Sequence, residues 1–131
     1  MRVMAAHRST SVYIVDDSDS IRQRLVTMLE SMPDVAVVGE ARSASDAIAG
    51  ILATRPDSVL LDLNLGTSSG IEVLNTVRKQ LPVVTFVILT NHSEPQYRRA
   101  CARAGAEYFL DKSTEFDGVR NIIAKIAAAH H

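Results

Sequence analysis

Residues 58–62 read SVLLD and residues 83–90 read VVTFVILT, and these two stretches decide the fold of the chain. Each contains a continuous apolar run, without the alternation of apolar and polar residues that marks a half-exposed strand. Continuous runs of this kind are typical of parallel strands that helices cover on both faces. We therefore predict buried strands over Ser58–Leu61 and Val83–Leu89.

Outward from these stretches, shorter apolar runs predict three more strands, over residues 12–15, 35–38 and 107–110. Patterns with a helical period fill the intervals between the strands. Ser43 is predicted to cap the second helix and Ser93 the fourth, and Thr114 is predicted to begin the fifth. The first helix has apolar positions at Ile21, Leu25, Met28, Leu29 and Met32, and the second at Ala47, Ile48, Ile51 and Leu52. The third has them at Ile71, Leu74 and Val77, and the fifth at Val119, Ile122, Ile123 and Ile126.

Strand and helix therefore alternate five times along the chain. Because right-handed crossovers place helices on both faces of the sheet, we predict an α/β fold with a doubly wound parallel sheet. One domain is expected over residues 11–127, after an N-terminal extension of residues 1–10. Residues 128–131 form a short tail whose two histidines resemble the remnant of an expression tag.

The composition excludes several classes of protein. Of the 131 residues, 47% are hydrophobic and 22% are charged, which is typical of a globular domain. The net charge of -1 provides no basic field, so we expect no direct contact with nucleic acid. No apolar run is long enough to cross a bilayer. The single cysteine, Cys101, excludes an internal disulfide and is expected in the core, so we predict a cytoplasmic protein.

Polar residues follow the predicted strands at the point where each strand ends. Asp16 and Asp17 follow the first strand, Asp62 the third, Thr90 the fourth and Lys112 the fifth. Ligands bind at this carboxyl edge in open parallel sheets. Adjacent carboxylates repel unless a cation lies among them, and oxygen donors suit Mg²⁺ or Mn²⁺. A hydroxyl and an ammonium suit phosphate oxygens, so we predict a Mg²⁺-assisted phosphoryl site with a carboxylate nucleophile.

These residues resemble the response-regulator receiver family, in particular its chemotaxis regulators, over about residues 11–127. The resemblance implies a flavodoxin-like (βα)5 fold with strand order 2-1-3-4-5. The motifs that carry it are Asp16-Asp17, VLLDLN at 59–64, Gly70, ILT at 88–90 and GAEYFLDK at 105–112.

The resemblance also implies a role for each site residue. Asp62 would be the phosphoacceptor. Asp17 would bind Mg²⁺ directly, Asp16 would bind it directly or through water, and the backbone carbonyl of Asn64 would complete the protein ligands. Lys112 would pair with Asp62 or with its phosphoryl oxygens.

Thr90 would hydrogen-bond the phosphoryl group. Phe109 occupies the position of the family's switch aromatic, with a plain core residue as the alternative, and Tyr108 should face the other side of the sheet. Asn64 and His92 lie two residues beyond Asp62 and Thr90, and we predict that they tune dephosphorylation. For His92, a solvated loop residue is the alternative.

The implied partners are a histidine kinase or histidine phosphotransfer protein and a downstream protein target. The remodelled surface would be the fourth helix, fifth strand and fifth helix, which could also support a homodimer. Arg98, Arg99 and Arg103 on that helix form either a partner-facing patch or an ordinary solvated face. No DNA-binding or catalytic output domain is recognisable in the 131 residues, which leaves open a single-domain regulator and a part of a longer protein.

Three positions depart from the family pattern. Gly66 and Ser113 stand where prolines are common, and Asn91 stands where a small residue is usual. Three rival functions fit the sequence less well. An aspartate-based phosphatase would need an acid in place of Asn64, and a flavodoxin would need a phosphate loop in place of Asp16-Asp17. A receiver used only for docking is disfavoured by the intact set of site residues.

Overall fold

A computed structural model describes residues 9–129 of the chain. Residues 1–8 of the predicted extension and the two terminal histidines lie outside the described residues. The strands are β1 (Thr10–Val15), β2 (Val35–Ala41), β3 (Ser58–Leu61), β4 (Thr85–Thr90) and β5 (Tyr108–Asp111). The helices are α1 (Asp19–Glu30), α2 (Ala44–Thr54), α3 (Gly70–Gln80), α4 (Pro95–Arg103) and α5 (Gly118–Ala129). A small antiparallel hairpin, Asn64–Leu65 with Ser68–Ser69, lies between β3 and α3.

All five principal strands are parallel, and their order in the sheet is β2-β1-β3-β4-β5. This confirms the flavodoxin-like fold and the strand order 2-1-3-4-5. The register pairs Val15 with Leu61 and Leu61 with Ile88. Because β1 and β3 end level, Asp62 leaves the sheet directly beside the end of β1.

The apolar runs of the central strands are buried on both sides, as predicted. Alternate residues of β3 contribute to two separate cores, with Leu61 facing one and Leu60 the other. The Leu61 side packs with α2, α3 and Cys101 of α4, and the Leu60 side packs with α1 and α5. Each fully buried leucine contributes roughly 1.5–3 kcal/mol relative to an exposed one. The prediction for Cys101 is confirmed, since it is 1% exposed.

Several helix signals are confirmed. The Ser43 hydroxyl accepts a hydrogen bond from the Asp46 backbone N–H at 3.3 Å and caps α2. Pro95 stands in the first turn of α4, where its missing N–H costs nothing. Tyr108 and Phe109 of β5 face opposite cores, as expected for neighbours on a strand.

Three local predictions are wrong. Strand β4 begins at Thr85 rather than Val83, because residues 81–84 form a turn that leaves Val83 90% exposed. Helix α4 is capped at Glu94 rather than Ser93, and the Ser93 hydroxyl bonds elsewhere. Helix α5 begins at Gly118 rather than Thr114, since the preceding residues fold into turns.

Two boundaries lie just outside the predicted domain, because β1 starts at Thr10 and α5 continues to Ala129. Within residues 9–129, no helix has the length and apolar character that a membrane crossing requires.

Candidate functional site

A cleft of about 320 Å³ opens at the carboxyl edge of the sheet. Its lining comes from the loops that follow β1, β3, β4 and β5 and from the first turn of α1, and comprises Asp17, Ser18, Ile21, Asp62, Asn64, Asn91, His92 and Lys112. The structure thus brings most of the predicted site residues to one place, although the chain separates them widely. Glu40, at the end of edge strand β2, stays outside the cleft and pairs with Arg22 at 3.0 Å.

Asp62 lies at the centre of the site and is 5% exposed. Its backbone N–H donates to the carbonyl of Val15 at 2.9 Å, which continues the parallel pairing one residue past β3. One carboxylate oxygen, Oδ1, accepts the backbone N–H of Asn64 at 3.2 Å. The other, Oδ2, accepts from Lys112 Nζ at 2.8 Å. The carboxylate is therefore held in a fixed orientation at the floor of the cleft.

Lys112 lies between two carboxylates and is largely buried. Its Nζ donates to Asp16 Oδ2 at 2.7 Å and to Asp62 Oδ2 at 2.8 Å. Burial alone would lower the pKa of the Lys112 ammonium, but the hydrogen bonds to Asp16 and Asp62 outweigh it and the pKa is raised. The ammonium is therefore charged at neutral pH and neutralises part of the acidic cluster.

Asp16, Asp17 and Asp62 offer three carboxylate oxygens that all lie within 4.8 Å of one another. Asp16 is 2% exposed, and Asp17 is exposed. Burial raises the pKa of the Asp16 carboxyl, although hydrogen bonds from Lys112 and from the Ser18 backbone oppose the change. Charged oxygen donors gathered this closely fit Mg²⁺, which prefers carboxylates and keeps several of its waters.

Thr90 is fully buried at the end of β4. Its hydroxyl accepts the backbone N–H of His92 at 3.2 Å, and its carbonyl accepts the backbone N–H of Lys112 at 2.8 Å. At the mouth of the cleft, the Asn64 side-chain amide lies 3.5 Å from His92 Nε2. The two predicted tuning residues are therefore neighbours in space.

Phe109 lies outside the cleft, part-buried against the core under α2, α3 and α4. The guanidinium of Arg98 covers its ring at 4.6 Å from the ring centroid. Arg98 also donates to the carbonyl of Ser93 at 3.1 Å and pairs with Glu115 at 3.7 Å. All three predicted patch residues are exposed, and Arg98 in addition has intramolecular partners on two loops.

The sequence analysis missed a hydrogen bond between the loop after β4 and the last residue of β5. Ser93 Oγ donates to Asp111 Oδ2 at 2.5 Å, and Asp111 Oδ1 accepts from Ser113. The polar residue Asp111, directly before Lys112, was the available sign of this contact in the sequence. Its partner could not be identified without the tertiary structure.

Backbone geometry and steric contacts explain two glycines near Asp62. Gly66 has φ of +74°, which no proline can adopt, so its departure from the family pattern matches its backbone conformation. A Cβ on Gly70 would lie 2.1 Å from the backbone oxygen of Asp62. The loop after the carboxylate can therefore pack this closely only with glycine at position 70.

Comparison with known proteins agrees with this geometry. The response regulator receiver domain family matches residues 12–124. The chain is 35% identical over 101 residues, 77% of its length and 46% of the other protein, to the DNA-binding transcriptional activator DevR/DosR of Mycobacterium tuberculosis. It is 31% identical over 114 residues, 87% of its length and 54% of the other protein, to the response regulator protein VraR of Staphylococcus saprophyticus. The chain spans about half the length of these curated relatives.

Solved structures give the same result. A two-component response regulator of the LuxR family from Aurantimonas superposes with a TM-score of 0.85 at 29% identity, covering 92% of this chain and 86% of that one. The response regulator domain of Thermotoga maritima CheB superposes with a TM-score of 0.82 at 27% identity, covering 94% and 97%. The chain belongs to the response regulator receiver domain family of two-component signalling systems.

Proposed function

We propose that Asp62 accepts a phosphoryl group from a phosphohistidine, carried by a histidine kinase or a histidine phosphotransfer protein. The observation that carries this proposal is the position of Lys112 Nζ, 2.8 Å from Asp62 Oδ2 and 2.7 Å from Asp16 Oδ2. A buried carboxylate beside a fixed ammonium, at the floor of an open cleft, suits a nucleophile that receives an anionic group.

In the reaction, an Asp62 oxygen attacks phosphorus in line while the bond from phosphorus to the histidine nitrogen breaks, and the imidazole leaves. Lys112 neutralises charge on the transferring oxygens. Asp16, Asp17, Asp62 and the backbone carbonyl of Asn64 would hold Mg²⁺ or Mn²⁺, which supplies further neutralisation of the phosphoryl oxygens. The product is an acyl phosphate on Asp62.

Water hydrolyses the acyl phosphate and ends the signal. Asn64 and His92 meet at the mouth of the cleft, where a water must pass to reach phosphorus. Their side chains can hydrogen-bond and orient that water, so we assign to them the control of the signal's lifetime. The domain assists its own phosphorylation and dephosphorylation but is a signalling module rather than an enzyme with a separate substrate.

Output follows from the added charge. Thr90 moves toward the phosphoryl group to donate its hydroxyl, and Phe109 turns inward, which remodels the surface of α4, β5 and α5. We propose this surface as the site of a downstream protein target or of a homodimer. The single buried cysteine suits a reducing compartment, and we place the protein in the cytoplasm.

A second form of output has support from the relatives. DevR/DosR is named as a DNA-binding transcriptional activator, and the chain spans 46% of its length. A receiver of this kind can control a DNA-binding segment carried on the same polypeptide, in which case nucleic acid contact lies outside the receiver itself. Phosphorylation of Asp62 remains the controlling event in both forms.

The deciding experiment measures intact mass after incubation with acetyl phosphate and Mg²⁺, for the wild type and for Asp62→Asn. We expect the wild type to gain one phosphoryl group, and we expect no gain in Asp62→Asn or after removal of Mg²⁺ by chelation. Asp57→Asn is a control at a carboxylate away from the cleft and should be phosphorylated like the wild type. Absence of any gain in the wild type would favour a docking module that is never phosphorylated.

A further inference from the structure

A hydrogen bond joins the loop after β4 to Asp111, the last residue of β5, on the opposite side of Thr90 from Asp62. The Ser93 hydroxyl donates to Asp111 Oδ2 at 2.5 Å, and we name this pair the Ser93–Asp111 clasp. The second oxygen, Asp111 Oδ1, accepts the backbone N–H groups of Ser113 and Thr114 at 2.9 and 3.1 Å. The Asp111 carboxylate is therefore held by the loop that follows it, and the clasp links it to the loop after β4.

The clasp is charge-assisted. The hydrogen bond from Ser93, followed by that from the Ser113 hydroxyl, holds the pKa of the Asp111 carboxyl well below its ordinary value of 3.8. A hydrogen bond from a hydroxyl to a carboxylate is shorter and stronger than a hydrogen bond between neutral groups. The clasp is thus among the stronger polar links between these two loops at neutral pH.

Arg98 reinforces the same connection from α4. Its Nε donates to the Ser93 carbonyl at 3.1 Å, and its guanidinium pairs with Glu115 at 3.7 Å. Glu115 Oε1 in turn accepts the backbone N–H of Asp111 at 2.8 Å. Two independent links, one through Ser93 Oγ and one through Arg98, therefore hold the start of α4 to the β5 loop.

The order of the strands determines which movement of the Thr90 loop stretches the clasp. Strand β4, which ends in Thr90, lies between β3 with Asp62 and β5 with Asp111. Any movement of Thr90 and its loop toward Asp62 is a movement away from β5. Such a movement stretches the bond from Ser93, three residues after Thr90, to Asp111.

We propose that Ser93 is a positioning residue that, through Asp111, restrains the Thr90 loop and opposes contact between Thr90 and a phosphoryl group on Asp62. The inference rests on the proposed function, because it concerns the response to a group bound at Asp62. A hydrogen bond present before phosphorylation and stretched after it stabilises the unphosphorylated conformation selectively. Its removal therefore favours the phosphorylated conformation.

The sign of the effect separates this role from a purely structural one. A hydroxyl that only maintains the fold would, when removed, weaken binding at the site or leave it unchanged. A restraint, when removed, strengthens binding of any group that draws Thr90 toward Asp62. The chain also offers a matched control, since the Ser113 hydroxyl bonds the same Asp111 carboxylate at 2.7 Å but lies on the β5 loop itself.

The test measures the Kd for beryllofluoride, a mimic of the phosphoryl group, at saturating Mg²⁺ by ¹⁹F NMR. The proteins are the wild type, Ser93→Ala, Ser93→Thr and Ser113→Ala, with urea denaturation confirming that each is folded. We expect Ser93→Ala to bind beryllofluoride about three- to tenfold more tightly than the wild type. This change in Kd corresponds to a fraction of the free energy of a hydrogen bond to a charged group. Ser93→Thr, which keeps the hydroxyl, and Ser113→Ala should bind like the wild type.

Equal or weaker binding by Ser93→Ala would overturn the inference and leave the proposed function intact. Equal tightening by Ser113→Ala would also overturn it, because the effect would then arise from Asp111 in general rather than from the link between loops. A wild type that binds no beryllofluoride and gains no phosphoryl group would instead overturn the proposed function on which the inference rests.

Discussion

The side-chain amide of Asn64 lies 3.5 Å from His92 Nε2, across the mouth of the cleft and 28 positions away in the sequence. If the pair orients the attacking water, Asn64→Ala and His92→Ala should each lengthen the lifetime of the acyl phosphate, by about tenfold for the loss of one positioning hydrogen bond. The measurement is the decay of the phosphorylated mass after removal of the donor. Asn91→Ala, an exposed neighbour in the same cleft, is the control and should decay like the wild type.

A lifetime unchanged in both variants would contradict this role. The double variant gives a further check. Because the two side chains act on one water, the combined effect should be smaller than the product of the single effects.

Lys112 separates two buried carboxylates, and its removal should couple stability to Mg²⁺. Lys112→Ala leaves Asp16 and Asp62 without their cation, which should cost about 3–5 kcal/mol in the absence of metal. Mg²⁺ should restore part of that loss, so the increase in the free energy of unfolding on adding Mg²⁺ should be larger than in the wild type. Urea denaturation with chelator and with saturating Mg²⁺ measures both values, with exposed Lys125→Ala as control. Equal stabilisation by Mg²⁺ in all three proteins would refute the prediction.

Gly70 and Gly118 both begin helices, and an added methyl group should affect them differently. A Cβ at Gly70 would lie 2.1 Å from the Asp62 carbonyl oxygen, whereas a Cβ at Gly118 meets only Leu110 at 3.4 Å. Gly70→Ala should lower stability by about 1–3 kcal/mol through overpacking, and should slow phosphorylation by acetyl phosphate because Asp62 is displaced. Gly118→Ala should do neither. Similar phosphorylation rates in the two variants would show that position 70 does not position the acceptor.

Arg78, near the end of α3, bonds the segments that precede β4 and β5, at the amino edge of the sheet. Its guanidinium donates at 2.6–2.7 Å to three backbone carbonyls, those of Pro82, Val84 and Gly105. Arg78→Lys should lower the free energy of unfolding by about 3 kcal/mol, because one ammonium cannot replace the planar donor set. Urea denaturation should show a lower midpoint, with an unchanged dependence of the free energy of unfolding on urea concentration. Lys79→Ala, at an exposed position, is the control and should unfold like the wild type. A loss below about 1 kcal/mol would mean that the carbonyls find other donors.

Much of this architecture is predictable because it depends on local pattern. The continuous run 58–61 is typical of a covered strand, and Asp62 follows it at the edge where ligands bind. Asp16, Thr90 and Lys112 likewise lie at strand ends, as predicted. The ion pair of Lys112 with Asp62 was expected from the family resemblance, and the structure shows it.

The errors arise where tertiary contacts override a local signal. Ser93 has the residue type of a helix cap, but Asp111 lies close enough to take its hydrogen bond. Thr114 resembles a helix start, yet its N–H donates to the Asp111 carboxylate and forms a turn instead. Both misplacements involve the Asp111 carboxylate. Ser93 reaches it across 18 positions of the chain, which sequence spacing does not reveal, whereas Thr114 bonds it within one local turn.

The ion pairs of Lys112 reach Asp16 and Asp62 over 96 and 50 positions of the chain. On the ribosome, both acidic loops are therefore synthesised long before the lysine that neutralises them. A chain that lacks Lys112 keeps both carboxylates but not the fixed positive charge between them. Assembly of the charge-balanced cluster is therefore a late event that depends on folding of the C-terminal part of the chain.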